Sequence, residues 1–232
     1  MSARAFSSAA EVRSLGHVTT TSAPDWTTVS PEQAQDFWDG LAFSERFFMG
    51  DGEVQKAMRK VCAALDSDGI PYAVAGAMGL NLAGYRRVTT DVDLLLTRDG
   101  LAAFKKRHLG LGWVERFAGS KGVRDTEFNV PIDFLIAGEF PGDGKPKPVA
   151  FPDPSVANNV GGVRALPVAK LVELKLASGL SAEHRQKDLV DVQELIRVAD
   201  LPLDLVDQLD ASVQDEYRKR WDLAQVAKRD EH

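Results

Sequence analysis

Hydrophobic and polar positions along this chain switch between a helical and a strand period, and the switches mark out its elements. Residues 1–28 are rich in Ser, Thr and Ala and show no period, so a flexible or locally docked arm is expected there. Ser30-Pro31-Glu32-Gln33 then supplies an N-cap, a proline at the first helical position and a capping-box partner. The helix that begins there is expected to turn Phe37, Trp38 and Leu41 inward, with Phe43, Phe47, Phe48 and Met49 docking this N-terminal element on the core. From Gly52 to about Ser67, the residues Val54, Ala57, Met58, Val61, Cys62 and Leu65 recur at helical spacing. Gly69-Ile70-Pro71 stops that helix and opens a strand, Tyr72 to Ala75. A short helix from Ala77 to Leu82 follows, and Gly84 is placed to end it. The loop Tyr85 to Thr90 leads into a strand from Asp91 to Leu96, after which Thr97-Arg98-Asp99-Gly100 opens a helix that buries Leu101, Phe104 and Leu109.

The second half continues in the same manner. Trp113 to Phe117 and Thr126 to Phe128 read as strands joined by the polar turn Gly119 to Gly122. Val130 to Ile136 is the next strong strand, with Ile132, Phe134 and Ile136 on one face and Asp133 on the other. Gly142 to Pro154 is a loop rich in Pro, Gly and Lys, and Val163 to Leu166 reads as a short strand. Pro167 opens a helical C-terminal part, in which Val168, Leu171, Val172 and Leu176 form an apolar face. Lys175 falls on that face, four residues after Leu171, while Lys170 and Glu173 fall on the polar side. An inward lysine either runs its stem out to solvent or meets an anion in a cleft between sheet and helices. A second helix, capped by Ser181 and running to Ile196, carries Leu189, Val192 and Ile196 inward; Arg185 and Asp188 pair on its buried side and Lys187 faces out. Amphipathic helices are expected around Leu203 to Leu209 and Val213 to Ala227, and there is no internal repeat or heptad pattern.

Composition adds limits. The 232 residues suit one domain with an appended helical part or two small domains, and 44% hydrophobic with 27% charged is ordinary for a globular protein. A formal net charge of −6 gives no global attraction to nucleic acid and leaves room for a local basic patch. Cys62 is the sole cysteine, which excludes a disulfide and a thiolate cluster. His17, His108, His184 and His232 form no spaced metal motif and read as surface residues. No run approaches the ~20 apolar residues of a membrane span, and a cytoplasmic protein is expected.

The candidate chemistry lies at Asp91-Val92-Asp93. Alternation on a strand points both carboxylates the same way out of an apolar run. Burying one unpaired carboxylate is costly and two together repel, so the pair persists most easily around a hard divalent cation.

Gly76-Ala77, a short helix, then Arg87-x-Thr89-x-Asp91-Val92-Asp93 resembles the nucleotidyltransferase superfamily that includes DNA polymerase β, aminoglycoside nucleotidyltransferases and the type IV abortive-infection toxins. The string Arg185-x-Lys187-Asp188-x-x-Asp191, after a helix containing Leu-x-x-Leu-Lys, resembles the C-terminal part of the small toxin-like branch. Ala77 departs from the motif, standing where Ser or a second Gly is usual.

The resemblance implies an α+β fold, a mixed β-sheet with flanking helices followed by a C-terminal helical part, divided as arm 1–28, catalytic core 29–165 and helical bundle 166–232. It implies a metal-dependent transfer of an NMP from an NTP to an acceptor hydroxyl on RNA, protein or a small molecule. Asp91, Asp93 and Asp133 would be the catalytic, metal-holding triad, with two Mg²⁺ ions, or Mn²⁺ in their place. Gly76, Ala77, Arg87 and Lys175 would contact the nucleotide. The toxin-like branch adds a cognate antitoxin as a partner. The competing reading is a non-catalytic nucleotide- or protein-binding module, favoured by Ala77; a third is an unrelated α/β enzyme with a chance Asp-x-Asp.

Overall fold

The computed structural model describes residues 31–230, so the expected arm of residues 1–28, with His17, and the terminal His232 lie outside the described residues. The chain divides into two compact units, residues 1–39 and residues 40–232. The first unit is described only where α1 (Pro31–Phe48) opens, and there Phe37 and Trp38 meet edge to face at 5.2 Å, both exposed.

In the second unit α1 runs on to Phe48, followed by α2 (Glu53–Ser67), β1 (Tyr72–Val74), α3 (Gly76–Leu82), β2 (Val92–Leu96) and α4 (Arg98–His108). Next come β3 (Trp113–Glu115), β4 (Val123–Asp125), β5 (Pro131–Ile136), β6 (Asn158–Val160) and β7 (Val163–Ala165). The chain ends in α5 (Val168–Ser181), α6 (Gln186–Ala199) and α7 (Ala211–Asp230). The strands form one mixed seven-stranded sheet in the order β3-β4-β5-β2-β1-β7-β6. β2 is parallel to β5 and antiparallel to β1, and β1 is parallel to β7.

Alternation along the strands divides the core between the two faces of the sheet. Val92, Leu94 and Leu96 of β2 and Ile132, Phe134 and Ile136 of β5 pack with α2 and α4. Ala73 of β1 and Leu95 of β2 face the other way, into a second cluster built by α5, α6 and α7. Asp93 and Asp133 share the parity of Leu95 and Leu135, so they fall on the α5 side. Both expected helices that frame this region form. Thr97 caps α4 by accepting from the Gly100 N–H, and Gly84, at a φ of +105°, follows the end of α3.

Several expectations need correction. Phe37, Trp38 and Leu41 are not turned inward, and Phe48 and Met49 are exposed as well. Aromatic residues are spread around α1, and only Phe43 and Phe47, four apart, share the face packed on the core. Thr126 to Phe128 is not a strand: the Asp125 carboxylate accepts the N–H groups of Glu127 and Phe128, at 3.0 and 2.8 Å, and turns the chain there. Ser181 does not cap a new helix. It ends α5, donating to the Ser178 carbonyl at 2.6 Å, and the chain passes through an extended Ala182 and a 3-10 turn, Glu183–Arg185, before α6. Glu173 is buried rather than on a solvated face, because its carboxylate accepts the Asp210 N–H that leads into α7, at 2.8 Å. The strand β6 was not foreseen; its three residues are all exposed and give no alternation to read.

Candidate active site

The cleft forms where β1 turns into α3. Gly76 adopts a φ of +54°, and an added Cβ there would lie 1.8 Å from Asp93 Oδ2. Only glycine satisfies both demands: a left-handed backbone and the near contact of a carboxylate from the adjacent strand. The cleft floor is therefore set by a pair of residues, Gly76 and Asp93, that the sequence separates by a helix and a loop.

Asp93 carries the main electrostatic anomaly. Burial first, and then the charges of Asp91 and Asp133, push its carboxyl up to about 7 from an ordinary 3.8. Among the described residues no side chain or backbone group donates a hydrogen bond to it. Asp91 lies one residue before β2 and accepts the Thr89 hydroxyl. Asp133 sits directly opposite Asp93 in the parallel β2–β5 register. Its carboxylate is occupied by Arg116, whose Nη1 lies 2.7 and 3.0 Å from the two oxygens. Asp93 and Asp133 stand side by side on the sheet with Asp91 just before it, and among the described residues no group of three His, Cys, Asp or Glu side chains is arranged to hold a metal ion.

Two adjoining cavities meet at Gly76, Asp93, Lys175, Arg185 and Asp188. One, of about 300 Å³, is polar: Ala77, Arg87, Thr89 and Asp91 line it from the sheet side, His184 and Arg185 from the 3-10 turn before α6, and Lys187 and Asp188 from the start of α6. The other, of about 350 Å³, has an apolar wall of Phe134, Leu135, Phe140, Phe151, Leu171 and Leu174. A cleft with one densely charged lobe and one lobe that adds an apolar wall, joined at Asp93 and Lys175, suits two chemically different ligands that meet there.

Lys175 is neither free in the cleft nor extended to solvent. Its ammonium lies 2.7 Å from Asp188 Oδ1 and 2.8 Å from Asp191 Oδ2, and these two carboxylates hold its pKa above the ordinary value against the opposing effect of burial. Ser178 donates to the other Asp188 oxygen at 2.6 Å, and Arg87 Nε donates to Asp191 at 3.0 Å. Asp188 is pulled down despite burial, chiefly by Lys175. The expected Arg185–Asp188 pair is a long 3.9 Å contact on a half-exposed arginine, so Lys175 is the principal partner of Asp188.

Arg87 and Lys175 thus reach the cleft as members of one network with two acids of α6. Asn81 fixes the Arg87 loop, donating to the Arg87 carbonyl at 2.8 Å and accepting its N–H at 3.1 Å. Arg116 and Asn81 were not singled out from the sequence, and Asp191 entered only as the last member of the string from Arg185, without a role. For Asp191 a signal existed: it lies between Leu189 and Val192 on the inner face of α6, three residues after Asp188, where a carboxylate requires a partner.

No protein-family model and no curated protein matches the chain. Among solved structures it is similar to ANT(2")-Ia in complex with adenylyl-2"-tobramycin, at 14% identity and a TM-score of 0.47, over 72% of this chain and 97% of that one. It is similar also to JHP933 from Helicobacter pylori, at 18% identity and a TM-score of 0.42, over 75% of this chain and 89% of that one.

Proposed function

We propose that the cleft transfers a nucleoside monophosphate from an NTP to an acceptor hydroxyl. The observation that carries this reading is Asp93: a part-buried carboxylate to which no group among the described residues donates, beside Asp91 and Asp133, where two cavities of the cleft join. Carboxylates have the chemistry that a hard divalent cation, Mg²⁺ or Mn²⁺, requires; Asp91 and Asp93 would hold it, and Asp133 would join them as the third carboxylate only on leaving Arg116. When bound, one or two such ions supply charge neutralisation at the phosphates and favour ionisation of the acceptor hydroxyl.

The remaining roles belong to the chain itself. The acceptor oxygen bonds to the α-phosphorus, the bond from that phosphorus to the bridging oxygen of the β-phosphate breaks, and pyrophosphate leaves. The acceptor proton passes to an Asp133 carboxylate oxygen. Gly76 and Ala77 let the backbone lie close to the phosphates. An ammonium has three donors and Lys175 spends two on α6, leaving one N–H for the triphosphate. Arg87, Arg185 and Lys187 give the polar lobe its cationic rim. Core 29–165 supplies the carboxylates in this reading, and 166–232 closes the cleft. The acceptor hydroxyl lies on RNA, protein or a small molecule; a toxin role, with an antitoxin as partner, is the extension that the toxin-like branch suggests.

The second reading, a nucleotide- or protein-binding module without catalysis, is favoured by the grip of Arg116 on Asp133 and by Ala77. Calorimetric titration with ATP, GTP, CTP and UTP, with and without Mg²⁺, separates the two. Metal-dependent binding of an NTP, followed by label transfer from that NTP to a component of a cell extract, supports transfer. Asp93→Asn abolishes the transfer without unfolding the chain; full Mg²⁺-dependent activity in that variant rules the assignment out.

A further inference from the structure

Arg116 directly follows β3 and Gly122 directly precedes β4, so both stand at the tip of the β3–β4 hairpin, next to the paired residues Glu115 and Val123. That tip leans over β5. A Cβ added to Gly122 would lie 2.6 Å from Asp133 Oδ1 and 2.9 Å from the Ile132 carbonyl, so only a residue without a side chain lets the tip come this near. The tip is also braced from behind. Lys105 of α4 pairs with Glu115 at 2.8 Å and donates to the Ser120 carbonyl, and Glu115 accepts the Gly119 N–H at 3.1 Å. The Arg116 guanidinium is therefore delivered to Asp133 by a prearranged turn.

The three acids consequently differ in what satisfies them. Among the described residues Asp93 has no donor, Asp91 has a hydroxyl, and Asp133 already has a full positive charge at 2.7 Å. We propose that Arg116 is a built-in competitor for the divalent ion: it holds Asp133 in the ion-free protein and must release it before the third carboxylate can join Asp91 and Asp93. This inference rests on the metal-dependent reading above and adds a control on it. Both side chains are 39% exposed, and an ion pair so open to water is weak, so the competition is shallow enough for an incoming ion to win. The apparent ion affinity is reduced by the fraction of molecules in which Asp133 is still held.

The test is Mn²⁺ binding by calorimetry, without nucleotide, on the full chain. Arg116→Gln binds Mn²⁺ tighter by about threefold to fivefold, the range open to a half-exposed pair. Arg124→Gln removes an equal charge from the same hairpin, but its partners are the two oxygens of Asn129, so its affinity stays at the wild-type value. In an Asp133→Asn background, Arg116→Gln brings no further gain. An unchanged or weaker affinity in Arg116→Gln overturns the proposal, and so does a gain that persists without the Asp133 carboxylate, which would mark a general field effect. If Asp93→Asn abolishes Mn²⁺ binding while Arg116→Gln is silent, the competitor role fails and the metal-dependent reading stands. If no variant and no wild-type protein binds Mn²⁺, both fail.

Discussion

Lys175 Nζ lies 2.8 Å from Asp191 Oδ2, on an aspartate only 2% exposed, so one ammonium from α5 secures a carboxylate of α6 that has almost no access to water. Arg87 meets the same carboxylate from the loop before β2, which ties the sheet side of the cleft to the helical side. Removing one partner of such a buried set leaves its opposite charge uncompensated. Asp191→Ala is therefore expected to destabilise the fold by about 3 kcal/mol, read as a lower midpoint in urea unfolding. A loss below about 1 kcal/mol would mean that water reaches the network and replaces the missing partner.

Asp93 gives the fold a dependence on pH with a definite sign. Its carboxyl is raised from 3.8 to about 7, so the folded chain binds this proton more tightly than the unfolded chain does. The resulting stabilisation is fully present below 3.8 and is lost as pH rises through about 7. Asp93→Asn removes the penalty of ionisation. With a chelator present, the variant should be more stable than wild type at pH 8 by on the order of 2 kcal/mol, and equal to it near pH 4. Equal thermal midpoints at both pH values would show that Asp93 ionises freely.

Gly76 tests the geometry of the cleft floor directly. Gly76→Ala meets two penalties, a backbone φ of +54° and a methyl group placed on the Asp93 carboxylate, whereas Gly84→Ala meets only the positive φ, with open space around it. The Gly84 variant should lose about 1 kcal/mol in urea unfolding and the Gly76 variant at least twice that. Equal losses would show that Asp93 swings away at no cost.

Much of this site was legible in the sequence because its signals are local. The two-residue period placed Asp93 and Asp133 on the face away from Val92, Leu94, Ile132 and Phe134, and the parallel register puts the two acids directly opposite each other. Lys175 was placed inward by its spacing from Leu171, and the structure finds it there. Its partner was not legible, since the choice between a phosphate and a carboxylate depends on how α5 packs against α6. Arg116 was invisible for the same reason: nothing in Glu115-Arg116-Phe117 says that a hairpin tip will fold over β5. The error at Thr126 to Phe128 has another origin, a side-chain turn at Asp125 that competes with strand propensity. On α1 the aromatic residues have no single face, so periodicity could not say that only Phe43 and Phe47 would pack on the core.

Asn81 holds the loop that carries Arg87 and leads to Asp91, through bonds to both backbone groups of Arg87. Asn81→Ala leaves a partly buried N–H and C=O without partners, at a cost of about 1–2 kcal/mol. Because the loop lines the polar lobe, the variant should also bind its NTP more weakly while remaining folded at 25 °C, which titration calorimetry and circular dichroism measure together. Weaker stability with unchanged NTP affinity would confine Asn81 to a structural role.

Ala77 is the one position where the motif departs from the pattern that it resembles, and the structure shows where a hydroxyl would stand. The residue is 6% exposed, lies in the first turn of α3 and lines the polar lobe with Arg87 and Asp91. Serine costs a helix roughly 0.5 kcal/mol relative to alanine, a small loss for the whole fold. A hydroxyl on the cleft wall gains a hydrogen bond to a phosphate oxygen, and bonds to charged groups contribute about 1.5–3 kcal/mol at best. Ala77→Ser should therefore keep the fold and tighten NTP binding by about tenfold, with the metal-free apoprotein unchanged in its thermal midpoint to within a few degrees. An unaltered NTP affinity would mean that the phosphates pass the start of α3 at a distance and that alanine is no handicap to this cleft.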